Sequence, residues 1–89
     1  MKDNENTEIG EVLARLRKAQ NKSQDHVAFV CNISRKTMSN LERTEHFPNL
    51  LTFGKYAKAL DMKPSKLLEE LEENSNFLLL IDQDTNDLD

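Results

Sequence analysis

The chain has 89 residues, 37% apolar and 31% charged, with a formal net charge of -4, two Gly, two Pro and one Cys. That length allows one small domain with a modest core, and the scarcity of Gly and Pro favours helices over a turn-rich sheet fold. No apolar run approaches the roughly 20 residues of a membrane span, the acidic opening is unlike a secretory signal, and a single Cys closes no internal disulfide, so a cytoplasmic protein is expected.

The charge is unevenly spread. Residues 1–10 hold one Lys and three acids, residues 11–66 hold eleven Lys/Arg against five Asp/Glu, and residues 67–89 hold eight acids and no Lys or Arg. A basic body therefore carries an acidic tail, and the average conceals a surface suited to a polyanion. Three segments are expected: a flexible leader over 1–8, a helical domain over 9–73, and an acidic tail over 74–89.

Five helices can be read in chain order. Ile9, Leu13 and Leu16 recur at helical spacing, Arg15, Arg17 and Lys18 follow where cations suit the macrodipole, and Asn21 is a stop. Ser23 caps a second helix from Gln24 to about Val30, with Val27 and Ala28 inward, and Asn32 stands at the turn that follows, where Asn tolerates left-handed backbone. Ser34 caps a third helix that runs to about Arg43. Asn49 caps a fourth, with Phe53, Tyr56, Ala57 and Leu60 at i, i+3, i+4 and i+7. Pro64 suits the first turn of a fifth, whose apolar face is Leu67, Leu68 and Leu71.

The third helix carries the chemistry. On a helical wheel Arg35, Lys36, Ser39, Asn40 and Arg43 fall within about 140°, while Thr37, Met38, Leu41 and Glu42 lie on the other side. The first set donates hydrogen bonds or positive charge, and the second includes the two apolar anchors. Such a face suits the acceptor-rich major groove of DNA, where Arg and Lys can donate to guanine and Asn can pair with adenine. On the wheel alone, a solvated helix face is the commoner explanation.

The ordered set of motifs resembles the lambda-repressor-like (XRE, Cro/repressor) helix-turn-helix family. The likeness runs from about Ile9 to Leu68 through "IGEVLARLRKAQ", "SQDHVA", "CNIS", "RKTMSNLER" and "FPNLLTFGKYAKALDM". It implies an all-α, compact five-helix fold with a short C-terminal extension, and a DNA-binding transcription regulator, such as a repressor, acting as a homodimer on double-stranded DNA. By position it assigns base contacts to Arg35, Lys36 and Asn40, with Thr37 and Ser39 nearer the backbone or groove wall. Gln24 falls where family members contact a phosphate or the base-reading helix, Arg43 at a DNA-backbone position, and Arg17 and Glu42 match a largely buried ion pair. Departures from the family pattern are Asn32 and Thr44 where Gly is common, Lys22 where an apolar residue is typical, and Glu45-His46 in place of basic loop residues.

Other candidates have plainer accounts. Cys31 matches a small packing position, and His26 and His46 lack a second ligand at metal spacing, so neither a metal nor any other cofactor is expected. No nucleophile–base set is evident, so an enzyme is not expected. "FLLLI", Phe77 to Ile81, either folds back over the core or forms a two-fold contact, and the dimer is the favoured reading. The rival function is a protein-interaction module, for example an antitoxin-like subunit whose acidic tail binds a partner.

Overall fold

In the computed structural model, residues 6–85 are described. They form six helices and no strand: α1 (Ile9–Ala19), α2 (Gln24–Cys31), α3 (Arg35–Glu42), α4 (Leu50–Ala59), α5 (Pro64–Asn74) and α6 (Phe77–Thr85). The sequence predicts five, and the sixth is the apolar extension. Too short to persist as an isolated helix in water, α6 is held by tertiary contact. Ser75 breaks α5 with an extended backbone, and its Oγ accepts from the Phe77 amide at 3.1 Å. The Asn76 amide donates to the Thr7 carbonyl at 2.8 Å. Thr7, which the sequence assigns to a flexible leader, is buried. Residues 1–5 of that leader and 86–89 of the acidic tail lie outside the described residues.

The core follows from the apolar periodicity. Leu13 of α1, Val27 of α2, Met38 of α3, Tyr56 and Ala57 of α4, and Leu67 of α5 are at most 1% exposed. Helix α2 packs between α3 and α4, α1 closes against α3 and α5, and α6 touches α5. Phe77 and Leu80 of α6 pack on this core, whereas Leu78, Leu79 and Ile81 are exposed. The extension therefore both covers the body and leaves an apolar face outside.

Helices α1 to α4 end in the same way without glycine. Asn21, Asn32, Thr44 and Asp61 take left-handed backbone, with φ between 57° and 60°. After each, an amide reaches back to the last helical turn: Lys22 to the Arg17 carbonyl, Ile33 to Ala28, Glu45 to Asn40 and Met62 to Ala57. This pattern satisfies carbonyls that a helix end leaves unpaired. Asn and Asp enter the left-handed region at modest cost, but β-branched Thr44 does not. Its compensation is a bond from the Gly10 amide to Thr44 Oγ1 at 3.0 Å, which satisfies a first-turn donor of α1 that Glu8 leaves uncapped.

Lys22 is also explained by the fold. Its ammonium donates to the Ala59 carbonyl at 2.6 Å and meets Asp61 Oδ2 at 3.2 Å, so it serves the C-terminus of α4 where a cation is favourable. The apolar residue expected there would leave that carbonyl without this donor.

Candidate nucleic-acid interface

Helices α2 and α3 are set by short polar caps. Ser23 Oγ accepts from the His26 amide and Ser34 Oγ from the Thr37 amide, each at 3.0 Å. Between them Asn32 turns the chain in left-handed backbone and ends α2 before α3 begins. Met38 and Leu41 are 0% and 3% exposed and anchor α3 to the body. Arg35, Lys36 and Arg43 are exposed, and Thr37, Ser39 and Asn40 are half-buried. The cationic and amide groups thus share the outward side of α3.

These side chains are organised among themselves. Arg35 Nε donates to Gln24 Oε1 and its Nη1 to Asp25 Oδ1, both at 2.8 Å. Ser39 Oγ lies 3.4 Å from the same Gln24 oxygen. Arg43 donates to Asn40 Oδ1 at 2.8 Å and pairs with Glu45 at 3.2 Å, and the Thr37 hydroxyl accepts from Ser34 Oγ at 3.0 Å. The Glu45 carboxyl is held below its usual range by the hydrogen bond and charge of Arg43.

Beneath this surface sits a carboxylate with three donors. Arg17 Nε and Nη2 reach the two oxygens of Glu42 at 2.7 and 2.8 Å, a two-point contact, and the side chains are only 9% and 5% exposed. Tyr56 Oη lies 2.7 Å from Glu42 Oε2, and Gln24 Nε2 donates to Glu42 Oε1 at 2.9 Å. Arg17 Nη1 also donates to the Lys22 carbonyl at 2.8 Å. Burial alone would raise the Glu42 pKa, but hydrogen bonds from Arg17, Gln24 and Tyr56 outweigh it and hold the carboxyl below its ordinary value. Tyr56 is pushed far up by burial and by the Glu42 charge, so it stays a neutral donor. The Arg17 guanidinium is raised by its bond to Glu42, against the opposing effect of burial.

Gln24, Tyr56, Asp25 and Glu45 are where the structure adds most to the sequence reading. Both ends of the Gln24 amide are engaged within the protein, on Glu42 and Arg35 of α3. Tyr56 was legible only as an apolar face residue, because its partner lies 14 positions away with no helical register between them. Asp25 and Glu45 carried a weak signal, as acids next to the segment that supplies the cations. Cys31 is buried, and burial raises its thiol pKa, which suits a packed small residue. Among the described residues no group of three or more His, Cys, Asp or Glu could hold a metal ion, and no helix is long and apolar enough to cross a membrane.

Comparison with known proteins agrees with this geometry. A helix-turn-helix family model matches residues 13–67, from α1 through the start of α5. Among six matching solved chains is the restriction-modification controller protein C.AhdI from Aeromonas hydrophila. It is 34% identical, with 66% of this chain and 89% of that chain covered and a TM-score of 0.62. A search of curated proteins gave no match. With the matched segment spanning both helices of the motif and most of the core, the chain belongs to the XRE-type helix-turn-helix family of DNA-binding transcription regulators.

Proposed function

We propose that this regulator reads a palindromic operator as a homodimer, with α3 of each copy in the major groove and half-sites about 34 Å apart. The observation that carries the reading is the outward face of α3, where Arg35, Lys36, Ser39, Asn40 and Arg43 stand over the buried anchors Met38 and Leu41. Base edges fall to Arg35, Lys36 and Asn40, with Thr37 and Ser39 at the groove wall. Arg43 and the first turn of α2, where the Gln24 amide opens the helix, meet the phosphates. Family membership makes the protein a regulator and not an enzyme.

The likeness to C.AhdI supports a narrower role, control of a restriction–modification system, because identity persists over nearly the whole of that small protein. A second copy would cover the apolar surface left by Phe47, Leu50, Leu68 and Ile81, which line a groove of about 410 Å³. Contiguous apolar surface of this kind marks association sites.

Selection of bound duplexes from a random library tests the reading, followed by affinity measurements on the winner and on a scrambled duplex. Arg35→Ala and Asn40→Ala should each cost about 1–3 kcal/mol on the selected site and little on the scrambled one. Equal losses on both duplexes would remove the base-reading assignment. A library that yields no preferred sequence would remove the operator itself.

A further inference from the structure

At the exit of α3 an acid follows directly on the cations that the helix presents. Glu45 meets Arg43 at two points, with Nε donating to Oε2 at 3.2 Å and Nη2 to Oε1 at 3.3 Å. The same Nη2 donates to Asn40 Oδ1 at 2.8 Å, so three side chains form one run of contacts on the outward side of α3. An exposed ion pair is weak by itself, and Arg43 and Glu45 are each more than half exposed. Here the backbone fixes the acid. Thr44 takes left-handed backbone, the Glu45 amide returns to the Asn40 carbonyl at 2.8 Å, and Thr44 Oγ1 is tied to the Gly10 amide of α1. Glu45 therefore starts from a turn anchored to the body, and its carboxylate folds back over α3 to reach Arg43.

The consequence lies with Asn40. Its amide has a donor end and an acceptor end, whereas a guanidinium only donates. With Arg43 on the oxygen, turning the amide over would set NH₂ against guanidinium, so Nδ2 is directed away from Arg43. Oδ1 keeps a second lone pair. The amide thus offers donor and acceptor in one fixed order, as a two-point contact with adenine N7 and N6 requires. Arg43 uses three of its five N–H groups on Glu45 and Asn40, which leaves Nη1 for a phosphate. We infer that Glu45 is a specificity-determining residue, which holds Arg43 against Asn40 and so fixes the order in which the Asn40 amide meets the base edge. The inference rests on the reading of α3 as the base-reading helix. Glu45 acts through Arg43 and touches no base, so it is a positioning residue. Without its carboxylate, Arg43 can leave Asn40 for a phosphate on any sequence. The charge of Glu45 opposes DNA binding in general while its geometry favours one sequence, so the two effects have opposite signs in a variant.

The test compares the native chain, Glu45→Gln, Asn40→Ala and the double variant on three duplexes. These are the selected one, a scrambled one, and the selected one changed at the base pair where Asn40→Ala loses discrimination. Glu45→Gln should bind the scrambled duplex about threefold more tightly, because a negative charge has left the DNA-facing side. Its discrimination at the Asn40 base pair should fall about fivefold. In the Asn40→Ala background the first effect should persist and the second vanish. An equal gain on all three duplexes would reduce Glu45 to a bare charge and overturn the inference. So would a loss of discrimination that survives without Asn40.

A second arm uses no DNA and separates the contacts from the reading of α3. Glu45 is exposed, so its variant should fold as the native chain does. In ¹⁵N relaxation, the Arg43 Nε–H of the native chain should show restricted motion, and Glu45→Gln should release it. A mobile Arg43 in the native chain, or one equally restricted in the variant, would overturn the inference. If Glu45 restricts Arg43 but discrimination at no base pair depends on Asn40, the reading of α3 fails and takes the specificity role with it.

Discussion

The hydroxyl of Thr44, at the exit of α3, accepts the backbone N–H of Gly10 in the first turn of α1 at 3.0 Å. One side chain thus caps a helix 34 residues away while its own backbone sits at φ 60°. The cap and the strain have opposite signs, and substitution separates them. Thr44→Val keeps the branched shape and strain but loses the oxygen, and should cost about 1–2 kcal/mol in urea unfolding. Thr44→Gly loses the cap and relieves the backbone, and should fall closer to the native stability. Equal stability of the native chain and Thr44→Val would show that the bond contributes nothing.

Gly10 is constrained by space and not by conformation, since it lies in regular α1. A Cβ there would press into the backbone carbonyls of Leu41 and Glu42, well inside van der Waals contact. Backbone cannot swing aside as a flexible side chain can. Replacing Gly by Ala inside a helix ordinarily gains about 1 kcal/mol of helix propensity. Here overpacking should outweigh that gain, for a net loss of about 1–3 kcal/mol by equilibrium denaturation. A stabilised Gly10→Ala would mean that α1 and α3 stand farther apart.

The Arg17–Glu42 pair joins the first and third helices with both side chains almost out of water. Removing one partner leaves the other's charge buried, so Arg17→Met and Glu42→Leu should each cost about 3–5 kcal/mol. The double variant should lose far less than the sum, because no orphan charge remains. Small, additive losses in the cycle would place the pair in solvent. Tyr56 and Gln24 also lose their acceptor in Glu42→Leu, which should make it the more damaging single change.

Acid should act through the same carboxylate. Glu42 has a folded pKa below its ordinary value, so the unfolded chain binds its proton first as pH falls. The stability that this group contributes is complete above the ordinary glutamate value of about 4.3 and is lost as pH drops through the lower folded value. Urea midpoints of the native chain should fall steeply below pH of about 4, and Glu42→Gln should flatten that slope. Glu45→Gln, at an exposed position, is the control and should alter it much less. An unchanged acid limb in Glu42→Gln would reassign acid sensitivity to other carboxylates.

Self-association is the prediction for the apolar side. Leu50 is 87% exposed on α4 and Leu78 is 51% exposed on α6, well above the surroundings of a finished core. Sedimentation at tens of micromolar should give a dimer for the native chain. Leu50→Glu and Leu78→Glu should shift it to monomer with helicity unchanged. A native chain that remains monomeric would refute the two-copy operator complex.

The body of the fold was legible because its signals are local. Ser23, Ser34 and Asn49 announce helix starts by a side-chain oxygen that can reach an amide three residues on, and all three do so. Met38 and Leu41 mark the inner side of α3 by periodicity alone, and the structure buries both. The extension was less legible because five apolar residues carry no period that separates strand from helix. Its state depends on the Asn76–Thr7 bond and on packing of Phe77 and Leu80, which involve residues distant in sequence.

The candidate interface divides along the same line. Residue type and spacing set which side chains share the outward face of α3, since a helix of fixed pitch leaves no other arrangement. Sequence also announced that Arg17 and Glu42 belong together, through the resemblance. What the amino-acid order could not state is which hydrogen-bond partners those groups would find: Gln24 turned towards Glu42, Asp25 on Arg35, Glu45 on Arg43, Tyr56 beneath them all. Pitch and capping act over three or four residues and are written in the chain. The direction of a half-buried amide is decided only when helices from different parts of the chain meet and each donor must find an acceptor.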